Sequence, residues 1–247
     1  MRGTVLVLMA ALVFPASATG LVTDAAIRWM SLDPGDLNLF VGAVNGALEY
    51  FASELGASGA VPPLEGFRRA MGAAVGEGVD LWLLRVGVEF TLSRAETSTA
   101  GVFSLDGQDY DVALSVSLRN TRLGARLVFP LFGGLLAVGA SGGLSYTSLE
   151  YLGAFQLPDD RWTFAFIPPS GVIRCGVGAF YGAAFVRASL PLILGFRLYL
   201  ETGWHWQPTL PFRCDGESVD LNGDGKADVL QLFGLWLAGG MEISFGF

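Results

Sequence analysis

Alternation with a period of two runs through most of the chain and is clearest near the C-terminus. There Phe233, Leu235, Leu237, Gly239, Met241, Ile243, Phe245 and Phe247 share one face. Gly234, Trp236, Ala238, Gly240, Glu242, Ser244 and Gly246 share the other. Successive side chains of a strand point to opposite sides, so one face is greasy and the other small or polar. Trp82, Leu84, Val86, Val88, Phe90 and Leu92 stand in the same way against Leu83, Arg85, Gly87, Glu89, Thr91 and Ser93. Phe196, Leu198, Leu200, Thr202, Trp204 and Trp206 stand against Arg197, Tyr199, Glu201, Gly203 and His205. A strand of a water-soluble sandwich would bury its greasy face in a core, whereas a strand of a membrane barrel turns that face to lipid. Greasy faces recur on nearly every predicted strand, which favours the barrel over a secreted β-sandwich.

Further strands are predicted over Phe67–Glu77, Leu135–Tyr151 and Val172–Ser189. Tyr110, Val112, Leu114, Val116 and Leu118 alternate with Asp111, Ala113, Ser115, Ser117 and Arg119, but the phase slips near Asn120. A slip of this kind predicts a bulge or a turn, with the strand resuming through Phe129. Short turns are expected at Gly78–Asp80, Pro130–Gly133 and Pro191–Gly195, and longer loops at 95–109, 153–171 and 207–228. Two turns share a pattern, Arg126-x3-Pro130-Leu131-x2-Gly134 and Arg187-x3-Pro191-Leu192-x2-Gly195, 61 residues apart (187 − 126). That spacing suggests a repeated hairpin. The alternation of short turns and long loops fits bacterial outer-membrane barrels. Seven strands are visible, and single-chain bacterial barrels use an even number. The eighth lies either within Leu21–Tyr50 or at an extra turn hidden by the slip near Asn120.

Residues 26–56 break the pattern. Leu39, Ala43, Ala47, Phe51 and Leu55 recur every four residues. Asp36 is placed to cap a helix from Leu37 to about Leu55, and such a helix could enter the lumen. The expected division is therefore a signal peptide at 1–18, an N-terminal helical segment and linker at 19–63, and a barrel at 64–247. The signal peptide rests on Arg2, an apolar run from Val5 to Phe14 and the small residues Ala16-Ser17-Ala18.

Composition narrows the classes. The chain is 52% hydrophobic, yet beyond the first residues no apolar run reaches the ~20 residues of a membrane-spanning helix. Its hydrophobicity is spread through alternation and interrupted by 34 glycines. The net charge of −8 excludes nucleic acid as a natural partner.

From Phe67 to the terminus the chain resembles small bacterial outer-membrane β-barrel proteins. The features carrying the resemblance are the signal peptide, the Gly-rich hairpin at Gly72–Glu89, the alternating strands, and Phe245 and Phe247. It implies an all-β, transmembrane, antiparallel up-and-down β-barrel of eight strands, integral to the outer membrane. It also implies outer-membrane lipid and the barrel-assembly machinery as partners. The sixth residue from the end, where that family carries Gly, is Glu242.

Three sets of residues bear on chemistry. Asp220, Asn222, Asp224 and Asp228 fall at positions 1, 3, 5 and 9 of a loop with Gly225 at position 6. Calcium takes six to eight oxygens, and this spacing, with the Lys226 carbonyl, wraps them around one Ca2+ ion. Position 12 is Gln231 rather than Glu, so the loop is no EF-hand and resembles the calcium loops of integrin-type propellers. Cys175 and Cys214 form an even pair, and an exported chain would join them in a disulfide. Arg85, Glu89, Asp111, Arg197, Glu201, His205 and Glu242 fall on predicted inward faces, where opposite charges pair or line a pore. The functional expectation is a structural or surface-interaction barrel with a calcium-stabilised outer loop. The alternatives are a narrow porin-like channel and, more remotely, a lipid-modifying enzyme. His205 is the single histidine and no G-x-S-x-G is present, so no catalytic residue is assigned.

Overall fold

The structure, a computed structural model, describes residues 20–246 apart from 33–34, 55, 57, 82, 156–170, 194, 209, 215, 221–224, 231 and 233. The expected signal peptide and the terminal Phe247 lie outside the described residues.

Eight long strands form the wall: β1 (Gly20–Ser31), β2 (Arg69–Leu81), β3 (Leu84–Leu105), β4 (Gln108–Leu131), β5 (Leu136–Phe155), β6 (Gly171–Pro191), β7 (Phe196–Trp206) and β8 (Gly234–Gly246). Each pairs antiparallel with its sequence neighbours, and β8 pairs back onto β1 from Gly20↔Gly246 to Met30↔Trp236. The ring is closed, so no edge of it is left to meet lipid. The eighth strand sought in the sequence is β1. The barrel thus begins at Gly20, well ahead of Leu64, where the sequence pattern put its start. Val22, Asp24, Ala26, Arg28 and Met30 of β1 face inward and Leu21, Ile27 and Trp29 outward. Its inward face mixes charged and apolar residues, which blurred the alternation.

Two further expectations are corrected. No bulge or turn interrupts β4 at Asn120: its register with β3 and with β5 runs without a skipped residue. The pattern slips because the two sides of the wall exchange character along the strand. Below Asn120 the outward residues are apolar (Leu123, Leu127, Phe129) and the inward ones polar (Arg122, Arg126). Above it Tyr110, Val112, Leu114, Val116 and Leu118 face inward while Asp111 and Arg119 face out. The strand leaves the lipid there. Its outer side then meets water and its inner side meets an apolar plug. Asp111, expected in the lumen, is accordingly exposed on the outside.

For the same reason residues 95–105 are not a loop. They continue β3, and β3 and β4 rise together to a two-residue hairpin at Asp106-Gly107. Both residues have positive φ (53° and 79°), as the tight I′-type turn of a twisted hairpin requires. The short turn expected at Gly78–Asp80 falls later, at residues 82–83, because β2 pairs with β3 down to Leu81↔Leu84.

The plug is α1 (Asp36–Glu54), which belongs to the outer connection between β1 and β2 rather than to a segment ahead of the barrel. Its buried face is Leu37, Phe40, Val41, Val44 and Leu48, at helical i, i+3, i+4 and i+7 spacing. The stripe Leu39–Ala43–Ala47 read from the sequence lies to the other side, with Leu39 59% exposed. The buried face joins the inward residues of the raised strands in one core with Phe103, Val112, Leu114, Val116, Leu149 and Tyr151. Phe40 meets Tyr151 edge-on, ring centroids 6.0 Å apart.

Two asparagines seven residues apart hold the returning chain along the helix. Asn38 accepts from the Phe67 amide at 2.7 Å and donates to its carbonyl at 3.1 Å. Asn45 does the same with Leu64 at 2.7 and 2.9 Å. Each side chain mimics a strand partner and satisfies backbone groups that would otherwise be stranded at the helix surface. Replacing Asn45 by Ala should cost about 1–3 kcal/mol through those two groups. Amide exchange in the segment around Leu64 checks it.

Candidate functional site

The centre of the barrel is filled by ionic side chains from seven strands. Glu201 (β7) accepts from Arg187 Nε (β6) at 2.7 Å and from Arg126 (β4), and lies 3.8 Å from Arg28 (β1). Glu89 (β3) receives Arg28 through two nitrogens, at 3.0 and 3.2 Å, and Arg126 at 2.6 Å. Arg187 continues to Glu242 (β8) at 2.8 Å and to Asp24 (β1) at 3.1 Å. Arg85 (β3) closes the inner end on Glu242 at 2.6 Å and on Asp80 (β2) at 2.7 Å. Glu89, Glu201, Glu242, Arg28 and Arg187 are all at most 4% exposed. Buried charges are tolerated only when paired and hydrogen-bonded, and here Asp24, Glu89, Glu201 and Glu242 each lie within 4.0 Å of at least two arginines.

Aromatic rings give the guanidiniums a second kind of contact. Arg187 lies over Tyr199 (3.7 Å), Arg28 over Trp236 (4.1 Å) and Arg126 over Phe185 (4.5 Å). Glycines make room for these rings: a Cβ at Gly139 would collide with Phe185, and one at Gly240 with Tyr199. That explains why inward positions are so often glycine. Arg122 is the exception among the lumenal arginines. It stacks on Tyr181 at 5.3 Å, and its Nε and Nη2 find no hydrogen-bond partner among the described residues.

Of the residues expected in the lumen, Arg85, Glu89, Glu201 and Glu242 belong to this lattice. His205 faces inward and is fully buried, with no carboxylate hydrogen-bonded to it among the described residues. Arg197 sits at the inner turn against Gly134 and joins no ion pair among the described residues. Asp24, Arg28, Arg126 and Arg187 were not anticipated. A signal for two of them was present: Arg126 and Arg187 occupy the same place in the repeated hairpin. The equivalent turn glycines, Gly134 and Gly195, both have positive φ (84° and 82°).

Above the lattice the lumen is closed by α1, and above α1 lies the last outer connection. Val229 donates to Asp36 Oδ2 at 2.9 Å, so Asp36 ties the helix to that connection. Phe212 and Leu232 insert into the same core at 1% exposure each. Cys175 and Cys214 are joined in a disulfide, Cα–Cα 4.2 Å, at a point where Cys214 pairs in register with Cys175. The bridge pins the connection to β6. Substituting both cysteines by Ser should lower stability by about 2–4 kcal/mol, measured by urea unfolding under oxidising conditions against the oxidised wild type. Of the expected calcium ligands, Asn222 and Asp224 lie outside the described residues. Asp220 accepts from the Gly225 amide at 2.7 Å, Lys226 follows it, and Asp228 is buried at 3% exposure.

The exposed surface inverts the usual order. Leu21, Ile27 and Trp29 of β1, Met71 and Val75 of β2, and Val88, Phe90 and Leu92 of β3 all point outward. So do Leu123, Leu127 and Phe129 of β4, Val138 and Leu144 of β5, and Phe180, Val186 and Leu190 of β6. Leu198, Leu200, Trp204 and Trp206 of β7 and Leu235, Leu237 and Met241 of β8 complete the belt. Every strand contributes, and the charges are inside. Only a hydrocarbon environment accommodates such a belt. The chain is an integral outer-membrane β-barrel protein. Among the described residues no helix is long and apolar enough to cross a membrane; the barrel protein crosses with its strands. By the short-turn rule, the Gly20 and Gly246 ends of the wall and the β2–β3, β4–β5 and β6–β7 turns lie on the periplasmic side, and α1 on the outer side.

No protein-family model matches the sequence, and no curated protein does either. Among solved structures, the barrel protein is similar to a major outer-membrane protein of Thermus thermophilus. The identity is 12% and the TM-score 0.43, over 91% of this chain and 99% of that one. It is similar also to Ail of Yersinia pestis, solved with a heparin analogue (11%, TM-score 0.41, 92% and 99%). A third is OprG of Pseudomonas aeruginosa (9%, TM-score 0.43, 94% and 98%). At these values the likeness carries no argument about the role of this chain.

Proposed function

We propose that the protein is a closed barrel with a structural or surface-interaction role, neither a channel nor an enzyme, whose outer end is stiffened by calcium and a disulfide. The observation that carries this reading is the double obstruction of the lumen, by the arginine–carboxylate lattice and by the apolar face of α1. Among the described residues, two cavities beside the lattice measure about 10 and 20 Å3, room for about one water each. A solute path would have to break several buried ion pairs. Proteoliposomes carrying the protein should therefore not swell in isosmotic solutions of small sugars or amino acids. Swelling at rates typical of a porin would refute the reading.

Insertion by the barrel-assembly machinery belongs to the same proposal. The non-enzymatic part is supported by the burial of His205, which leaves its imidazole out of reach of a lipid ester outside the wall. Wild type and His205→Ala are expected to give the same background of lipid turnover, and a loss of turnover in the variant would overturn this. The calcium part is supported by the carboxylate spacing and by Asp220 already folded onto the Gly225 amide. Calcium should raise the melting temperature of the wild type and not of Asp224→Ala; a wild type indifferent to calcium would remove the ion from the account.

A further inference from the structure

Four arginines of this acidic chain gather on the outer side of the wall, just above the apolar belt. Arg94 (β3) and Arg119 (β4) stand directly opposite each other in register, an arrangement of like charges that costs stability. Two steps across the sheet, Arg119 pairs with Ser148 and Ser148 with Gly176, and Gly176 pairs with Arg213. One row further out, Arg174 (β6) pairs with Glu150. Among the described residues two carboxylates answer these four cations. Glu96 bonds Arg94 at 2.6 Å, and Glu150 is shared between Arg174 at 2.9 Å and Arg119 at 4.0 Å. Arg213 has no carboxylate among the described residues. Among the described residues the cluster carries an excess of two positive charges (4 − 2) in a chain whose net charge is −8.

The height of the cluster is set by the strands. Arg94 lies two residues beyond Leu92 and Arg119 four beyond Leu123, about 7 and 14 Å along the strands from those belt leucines. That is the level of lipid headgroups. Tyr146, 57% exposed, marks the boundary between the two. An open cleft of about 540 Å3 runs between Arg119, Tyr146, Ser148, Glu150, Arg174 and Arg213. Beneath Arg174 the Tyr146 ring lies over the outward Gly176, where a Cβ would meet its hydroxyl, and one row lower a Cβ at Gly178 would meet only the Ser145 carbonyl, at 3.9 Å.

From this geometry we infer that the β4–β6 face binds the phosphorylated headgroup of an outer-leaflet lipid. Arg119, Arg174 and Arg213 hold the phosphate. Arginine is suited to this because its planar fork bonds phosphate through two nitrogens, and the phosphate relieves the Arg94–Arg119 opposition. The inference gives the surface-interaction reading a partner but does not depend on the closed lumen. A conducting barrel would leave it standing, and its own failure would leave the lumen closed.

The test uses the full chain in phosphatidylcholine nanodiscs doped with lipid A or with dephosphorylated lipid A, and counts co-purifying lipid by native mass spectrometry. The expected result is a clear preference for the phosphorylated form. It should fall by about five-fold for each arginine lost, in Arg119→Gln and in the triple variant with Arg174→Gln and Arg213→Gln. These side chains are exposed, so the variants should keep the heat-dependent gel mobility of a folded barrel. Equal retention of both lipids, or an unchanged preference in the triple variant, overturns the inference. So does complete displacement of the lipid by an equal concentration of inorganic phosphate, which would make the cleft a site for the free anion.

Discussion

Glu201→Leu is expected to destabilise the barrel by about 3–5 kcal/mol, the largest single effect available in the lumen. Glu201 accepts from Arg126 and Arg187 and lies beside Arg28, so its loss leaves cationic charge uncompensated at a site 2% exposed. Removing one partner of a buried charge pair costs this much because the other charge stays behind in a medium that solvates it poorly. The attraction of the pair itself is a smaller quantity. Adding Arg187→Met should therefore restore part of the loss, since two apolar side chains replace two charges. The restoration stays partial because Asp24 and Glu242 also lose a donor. Urea unfolding of the refolded protein in lipid, wild type against the single and double variants, measures both. Equal destabilisation by the single and double variants would mean that burial of unpaired charge is not what holds the lattice together.

Phe40→Ala should rank next, at about 3–5 kcal/mol, the range for emptying a buried aromatic site. Phe40 is 1% exposed and its ring meets Tyr151 on β5. Here the loss should be local. The core formed by α1, the raised ends of β3–β6 and the last outer connection is apolar, whereas the wall below is held by its strand ladder and the ionic lattice. Hydrogen exchange should accelerate in α1 and in residues 212–230 while the belt strands stay protected. A uniform acceleration through all eight strands would contradict a plug that opens separately from the wall.

Much of the wall could be read from the sequence because lipid imposes a simple rule on strands. β7 and β8, short and wholly within the belt, show it without interruption. β1 escaped because Asp24, Ala26, Arg28 and Met30 bring charged and apolar groups to one inward face, in step with both lattice and plug. At β4 the evidence was present but misread. The change of phase at Asn120 is where one continuous strand passes from lipid to water, and a rule that assumes one environment per strand turns it into a bulge. The helix was located but its buried face was not. Leu37, Phe40, Val41, Val44 and Leu48 turn inward only because β3–β6 rise above the belt to receive them, which no local pattern encodes. The lattice was half legible for a related reason. Glu89, Glu201 and Glu242 stand out as charges among small residues, but their partners Arg28, Arg126 and Arg187 arrive from other strands, 14–173 residues away (201 − 187 and 201 − 28).

The central claim is that the lumen is closed by its own side chains. Planar-bilayer recording of the purified, refolded barrel tests it most directly, with wild type beside a variant carrying Arg126→Ala, Arg187→Ala and Glu201→Ala together with Phe40→Ala. The account predicts a silent wild type and ion conductance only where lattice and plug are both weakened. Steady, reproducible conductance steps from the wild type would contradict it.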